Sequence, residues 1–286
     1  MKKVLLAIIL ALTICTQALA ESSVWKAQKG DSVLFLGGTF HLLRPSDFPL
    51  PPEFEKAYQA SNLLVFETDI NGFNNPATQQ KLMAQAVYAD GSSIAQHLSP
   101  KTYSQLSDYC AAMGIPLEII KRFKPSIISV TMTTLELAKF GVIPDGVDTF
   151  MYQLASRDQK RTEGLETIDE QIRFLATMGD GNEDAFITYF LRDIASIKQD
   201  YEAMVAAWKQ GDIKKLDALF VAELKTKMPK LYKELLSDRN KKWLSRIEAY
   251  HNTPEKEFIL VGAGHLVGAD GLLEALKQKG YTVKKL

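Results

Sequence analysis

Apolar and polar positions follow two regimes along this chain. Three short runs are apolar without interruption: Val33-Leu34-Phe35-Leu36, Leu63-Leu64-Val65-Phe66 and Phe258-Ile259-Leu260-Val261. Runs of this length, bounded by glycine or charge, suit strands buried on both faces. Ser23 to Gln28, the turn at Gly30-Asp31 and Ser32 to Leu36 read as a hairpin. Weaker strand signals lie at Thr162–Glu166 and Tyr281–Lys284. Elsewhere apolar residues recur every three or four positions, the helical period. That spacing predicts helices over Glu53–Ala60, Thr78–Tyr88, Ser99–Met113, Pro116–Phe140 (broken at Pro125), Val147–Ser156 and Thr167–Met178. It predicts more over Glu183–Lys209, Asp212–Phe220, Ala222–Leu236, Asp238–Tyr250 and Asp270–Lys279. The Glu183–Lys209 helix would be about 40 Å long at 1.5 Å per residue. Its stripe of Ile187, Phe190, Leu191, Ile194, Ile197, Tyr201, Met204 and Trp208 reads as core. Neither end of the chain has enough strands for a sheet alone, so the two ends must share one. The expected fold is α/β (α+β): a mixed central sheet from N- and C-terminal strands, flanked by helices, with a large helical insertion between them.

Two of the apolar runs end alike. Gly38-Thr39-Phe40-His41 follows the first and Gly262-Ala263-Gly264-His265 the last, more than two hundred residues later. Each places a histidine just past a core strand. Imidazole ligates divalent metals or transfers protons near neutral pH, and a fold that joins the two ends would join the two histidines. Glu67 closes the third run, at the rim of a core, where a carboxylate must be paired, hydrated or metal-bound. Strand alternation places Asp69 on the same face as Glu67, and Glu166 stands at another strand end. Arg239 shares a helix face with Trp243, Ile247 and Tyr250; an arginine so placed needs an anion such as Glu67 or a substrate oxyanion. His97 and His251 lack such a context and read as surface or capping residues.

Composition narrows the classes. The chain holds 34 basic and 34 acidic residues. That balance gives no basic surplus for nucleic acid. Met1-Lys2-Lys3, the apolar run Val4–Cys15 and Ala18-Leu19-Ala20 have the form of a signal peptide over residues 1–20, cleaved after Ala20. The expected location is periplasmic or secreted, with residues 21–286 forming a single domain and no later run long enough to span a membrane. Bulky Ile14 before Cys15 argues against a lipoprotein. Cys110 alone then remains, which excludes an intramolecular disulfide and a thiolate zinc site. Any metal must be held by histidine and carboxylate. There is no Gly-x-Ser-x-Gly and no His-Glu-x-x-His, and too little chain follows Gly268 for a dinucleotide-binding half.

Taken in order, Gly38-Thr39-Phe40-His41, Phe66-Glu67-Thr68-Asp69, Gly146-Val147-Asp148, Gly164-Leu165-Glu166-Thr167 with Gln171, Arg239-Asn240 with Trp243, and Val261-Gly262-Ala263-Gly264-His265-Leu266 make up a specific combination. In it the sequence resembles the TraB/GumN family, described together with the TIKI proteins and akin to erythromycin-esterase and ChaN-like proteins. Asp238 stands where many relatives have glutamate before Arg-Asn. The resemblance implies a mixed sheet flanked by helices and a site of His41, Glu67, Arg239 and His265. Some relatives are metal-dependent proteases, while others are esterases, haem-binding proteins or signalling proteins. The expected function is that of a metal-dependent hydrolase of peptide or amide bonds, acting on a peptide or small-molecule substrate. His41, Glu67 and His265 would hold manganese, cobalt or zinc or activate water directly, and Arg239 would stabilise the oxyanion. The competing class is a non-catalytic binding protein for a peptide, haem or metal.

Overall fold

A computed structural model describes residues 22–286; the expected signal peptide at 1–20 lies outside the described residues. Six strands form one mixed sheet: β1 (Val24–Lys29), β2 (Ser32–Thr39), β3 (Leu63–Phe66), β4 (Arg161–Gly164), β5 (Glu257–Gly262) and β6 (Thr282–Lys285). Their order across the sheet is β4-β3-β5-β2-β1-β6. The strands β1 and β2 form the hairpin, its turn made by Gly30 at φ 57°, where only glycine is unstrained. β6 pairs antiparallel with the far side of β1. β2, β5, β3 and β4 are mutually parallel, with β5 at the centre. The two ends of the chain therefore interleave in one α/β sheet. β4, taken from inside the helical insertion, forms one edge.

Hydrophobic burial sets this order. Leu34, Leu36, Leu64, Val65, Phe258, Ile259, Leu260 and Val261 are all fully buried. Each such side chain contributes about 1.5–3 kcal/mol relative to exposure. Parallel strands need helical crossovers, which cover both faces and account for the unbroken apolar runs. Trp208 locks one of these helices beneath β2: its indole N–H donates to the Gly38 carbonyl at 2.6 Å, and its own carbonyl accepts from the Ser23 hydroxyl at 2.7 Å.

Two helices differ from the periodicity. The long one is two, Glu183–Ile194 and Ile197–Gln210. The Ser196 hydroxyl donates to the Asp193 carbonyl and the Asp200 carboxylate, and such local bonds compete with the helical ladder. Met204, expected in the core, is half-buried and lines a cavity. Ala222–Leu236 is divided at Met228, because Pro229 cannot donate to the ladder and disfavours a helical residue before it. On either side of this break the backbone widens into π-helical segments, Asp217–Ala222 and Lys233–Ser237. Among the described residues no helix is long and apolar enough to cross a membrane.

Candidate functional site

Four parallel strands present their C-terminal ends at one edge of the sheet, where open α/β sheets place ligand groups. Each end carries one ionisable side chain. His41 follows β2, Glu67 follows β3, Glu166 follows β4, and His265 lies in the helical turn Ala263–Leu266 directly after β5. The register explains why the histidines meet, since β2 and β5 are neighbours that pair Gly38 with Val261 and Thr39 with Gly262. A methyl group built on Gly262 would lie 3.3 Å from Glu67 Oε1, 3.6 Å from His41 Nε2 and 3.6 Å from His265 Cδ2. Gly262 thus leaves open the small space on which these side chains converge.

Arg239 organises the buried half. Its Nη2 group donates to Glu67 Oε2 and Glu166 Oε1, both at 2.6 Å, and to Gln171 Oε1 at 3.1 Å. Its Nε group donates to Glu166 Oε2, and its Nη1 group to the Leu235 carbonyl and to His265 Nε2 at 3.2 Å. The guanidinium lies between the rings of Phe174 and Trp243, with centroids 5.0 and 4.5 Å away. All five of its N–H groups therefore have acceptors within the protein. The expected anion for Arg239 is a pair of carboxylates, Glu67 and Glu166.

His265 is equally committed. The Asn240 amide donates to the carbonyls of His265 and Asp270, which fixes its oxygen toward His265 Nδ1 at 2.7 Å. Nδ1 therefore carries the proton, and Nε2 accepts from Arg239. Burial, with Arg239 adding to it, pulls the His265 pKa down to about 3, so the ring is neutral. Burial alone would raise Glu67; Arg239, the two histidines and the Gly262 N–H together outweigh it and hold that carboxyl at about 2. Glu67 Oε1 also accepts from the Gly262 backbone N–H at 2.8 Å.

His41 behaves differently. Its side chain is 63% exposed, and Nδ1 meets Asp148 Oδ2 at 2.7 Å. Asp148 pushes the His41 pKa up to about 9. Water screens so exposed a pair, which accordingly contributes little to stability. Asp148 reaches His41 because Gly146, just before the helix Val147–Arg157, lies against the backbone of Phe40 and His41; a Cβ there would come within 2.2 Å of the Phe40 carbonyl oxygen. The Val147 N–H donates to that same oxygen at 2.9 Å. His41 Nε2 remains turned toward Gly262 and the cleft.

Above this floor is a cavity of about 530 Å³ whose walls are mostly apolar, including Phe40, Leu42, Leu137, Phe174 and Met178. Both π-helical segments contribute, through Phe220 and through Leu235 and Leu236. Wide turns of this kind are frequent at functional sites.

His41, Glu67, Arg239 and His265 thus border one cleft. Asp69 does not: β3 ends at Phe66, strand alternation stops there, and Asp69 lies exposed beside a separate small cavity. His97 stacks on Tyr88 and His251 meets the edge of Tyr281, both outside the cleft. The expected ligand set of His41, Glu67 and His265 does not fit a metal centre as it stands. Among the described residues no group of three or more His, Cys, Asp or Glu side chains is placed to hold an ion. The physical reason is Arg239, which already occupies the Nε2 lone pair of His265 and one oxygen of Glu67. Asp148, Glu166, Gln171 and Asn240 complete the arrangement. Each stands within or beside a motif of the sequence, but periodicity alone gives none of them a partner.

Comparison with known proteins finds distant relatives along most of the chain. "Metalloprotease TIKI1" of Danio rerio is 22% identical over 319 residues, covering 92% of this chain and 63% of that protein. "Metalloprotease TIKI homolog" of Nematostella vectensis is 22% identical over 330 residues, covering 92% and 67%. "Metalloprotease TIKI2" of Danio rerio is 24% identical over 304 residues, covering 87% and 58%. The chain therefore spans about three fifths of the length of the relatives it matches. No solved structure matches it. The TraB/PrgY/gumN family matches residues 23–285, from the first strand of the sheet to the last, and the chain belongs to that family.

Proposed function

We propose that the cleft hydrolyses peptide or amide bonds in an exported protein. The observation that carries this reading is His41. Asp148 holds its Nδ1, and its Nε2 faces a largely apolar cavity beside an ionised Glu67. A histidine oriented by a carboxylate and open to a cavity is equipped to move a proton at a scissile bond. With Nδ1 held by Asp148, the imidazolium donates from Nε2 to the leaving nitrogen. The attacking water bonds to the carbonyl carbon and gives a proton to Glu67 Oε1, the C–N bond breaks as the nitrogen takes the His41 proton, and Glu67 then returns its proton to His41 through water. Arg239 keeps Glu67 ionised and keeps His265 in the Nδ1–H form. The names of the distant relatives support a protease-like role, and the signal-like residues 1–20 support export.

Manganese, cobalt or zinc would need His265 Nε2 as a third ligand, and Arg239 would have to withdraw to release it. No step of the proposed reaction is therefore drawn through a metal. The test is turnover of casein and of quenched fluorescent peptides by wild type, His41→Ala and Glu67→Gln, each with a chelator and with added manganese, cobalt or zinc. A loss of about 100-fold or more in both variants is expected, on the scale of general acid–base contributions. Undiminished turnover in His41→Ala would sink the reading. Activity that strictly needs added metal would show that Arg239 yields its place. Tight binding of a peptide, haem or metal without any turnover would move the protein to the binding class.

A further inference from the structure

A second cavity, of about 630 Å³, shares Phe40, Leu137 and Phe220 with the first. Those three residues form a wall common to both cavities. Phe40 packs edge-on against Phe220 at 5.9 Å and against Tyr201 at 5.8 Å, and both Phe40 and Phe220 are half-buried. Phe40 directly precedes His41, so His41, which lines the first cavity, stands beside the shared wall.

The far chamber has a chemistry of its own. Met204, Ile197 and Leu219 give it an apolar lining, while Asp193, Asp200 and Glu223 stand around it with Arg192 as the one lining cation among the described residues. Arg192 is bound by Asp193 at 2.7 Å and by Glu223 at 2.8 Å. Its charge is thus more than offset, and the chamber keeps a negative surplus. Small-molecule pockets fall within about 300–1,000 Å³, and each chamber alone would satisfy one. Two adjacent chambers that share a wall suit a longer ligand.

We infer that the second chamber receives the part of an extended peptide that flanks the cleaved bond, with a bulky apolar residue packed against the Phe40–Phe220 pair and a lysine or arginine beyond it. This rests on the cleft being the substrate site, but it concerns binding and can be measured without turnover. An extended chain satisfies both chambers at once, which a compact ester or amide in the first chamber does not. The carboxylate surplus favours a cationic residue and opposes an anionic one by like-charge repulsion.

The test is fluorescence anisotropy with the labelled peptide Ala-Ala-Phe-Ala-Lys-Ala and its reverse-order counterpart, each also made with glutamate in place of lysine. Wild type, His41→Ala, Met204→Trp and Asp200→Lys are compared. Met204→Trp fills the far chamber, and Asp200→Lys changes its charge at a half-buried position. The expected result is that at least one lysine peptide binds wild type and His41→Ala alike. Its affinity should fall at least tenfold in Met204→Trp and several-fold in Asp200→Lys, with the glutamate peptides weaker throughout. Asp200→Lys decides the matter if Met204→Trp does not fold. Equal affinity in wild type and the far-chamber variants overturns the inference, as does equal binding of glutamate and lysine peptides or no binding by wild type. Chamber-dependent binding without cleavage upholds it and rejects the hydrolytic reading instead.

Discussion

At the scale of single residues, the site separates two histidines of similar sequence context by their partners. Asp148 keeps His41 charged, whereas burial beside Arg239 keeps His265 neutral. Asp148→Asn removes the charge and leaves a hydrogen-bond acceptor. It is therefore expected to move the His41 titration from about 9 toward its ordinary value near 6.5. Proton NMR of the His41 ring measures this directly, and the alkaline limb of the pH–rate profile should move with it. An unmoved titration would mean that Asp148 does not set the charge of His41. Arg239→Met has a different consequence: it leaves Glu67 and Glu166 buried and facing each other without a cation. Breaking a buried ion cluster on one side costs about 3–5 kcal/mol, to be read from urea denaturation. Arg239→Lys should recover little of it, because a single ammonium cannot reproduce the planar fork that serves both carboxylates.

At the scale of elements, the helix Val147–Arg157 is placed by a glycine. Gly146→Ala would drive a methyl into the backbone of Phe40 and His41, with contacts as close as 2.2 Å. The helix start must then move away, taking Asp148 with it. A loss of about 1–3 kcal/mol, as for overpacked sites, is expected, together with the same fall in His41 pKa as in Asp148→Asn. Retention of both by Gly146→Ala would show that the approach can relax. The same elements show what was legible in the sequence. Strands β2, β3 and β5 were readable because burial on both faces leaves an unbroken apolar run, and the glycine-histidine endings marked where those strands open. The Ser196 break was hidden, because a serine in an apolar stripe carries no periodic signal. The π-helical turns were hidden for the same reason, since widening by one residue barely disturbs a three-to-four spacing. Asp148 and Asn240 were visible as motif letters, but their partners come from distant segments, and only the sheet order pairs them.

At the scale of the whole molecule, these ionisations give a lopsided pH dependence. Glu67 and His265 both have folded pKa values below their ordinary ones, about 2 and about 3. In the interval below each ordinary value the unfolded chain binds the extra proton, so stability falls with pH. His265 acts from about 6.5 downward and Glu67 from about 4.5 downward. His41 has the opposite sign: raised to about 9, it favours the folded state fully below about 6.5 and loses that contribution as pH rises through 9. A steep acid arm and a shallow alkaline arm are expected in melting temperature against pH. A melting temperature flat from pH 7 to pH 3 would contradict the buried assignments. The sheet order has a further bearing on how the molecule comes into being. Its central pair joins Leu34 to Glu257 and Thr39 to Gly262, and loop-closure entropy must be overcome before so distant a pairing is rewarded. During synthesis neither outer edge of the first hairpin is paired until β5 and β6 have emerged. A nascent chain that ends before His265 therefore carries the first histidine of the cleft without the second.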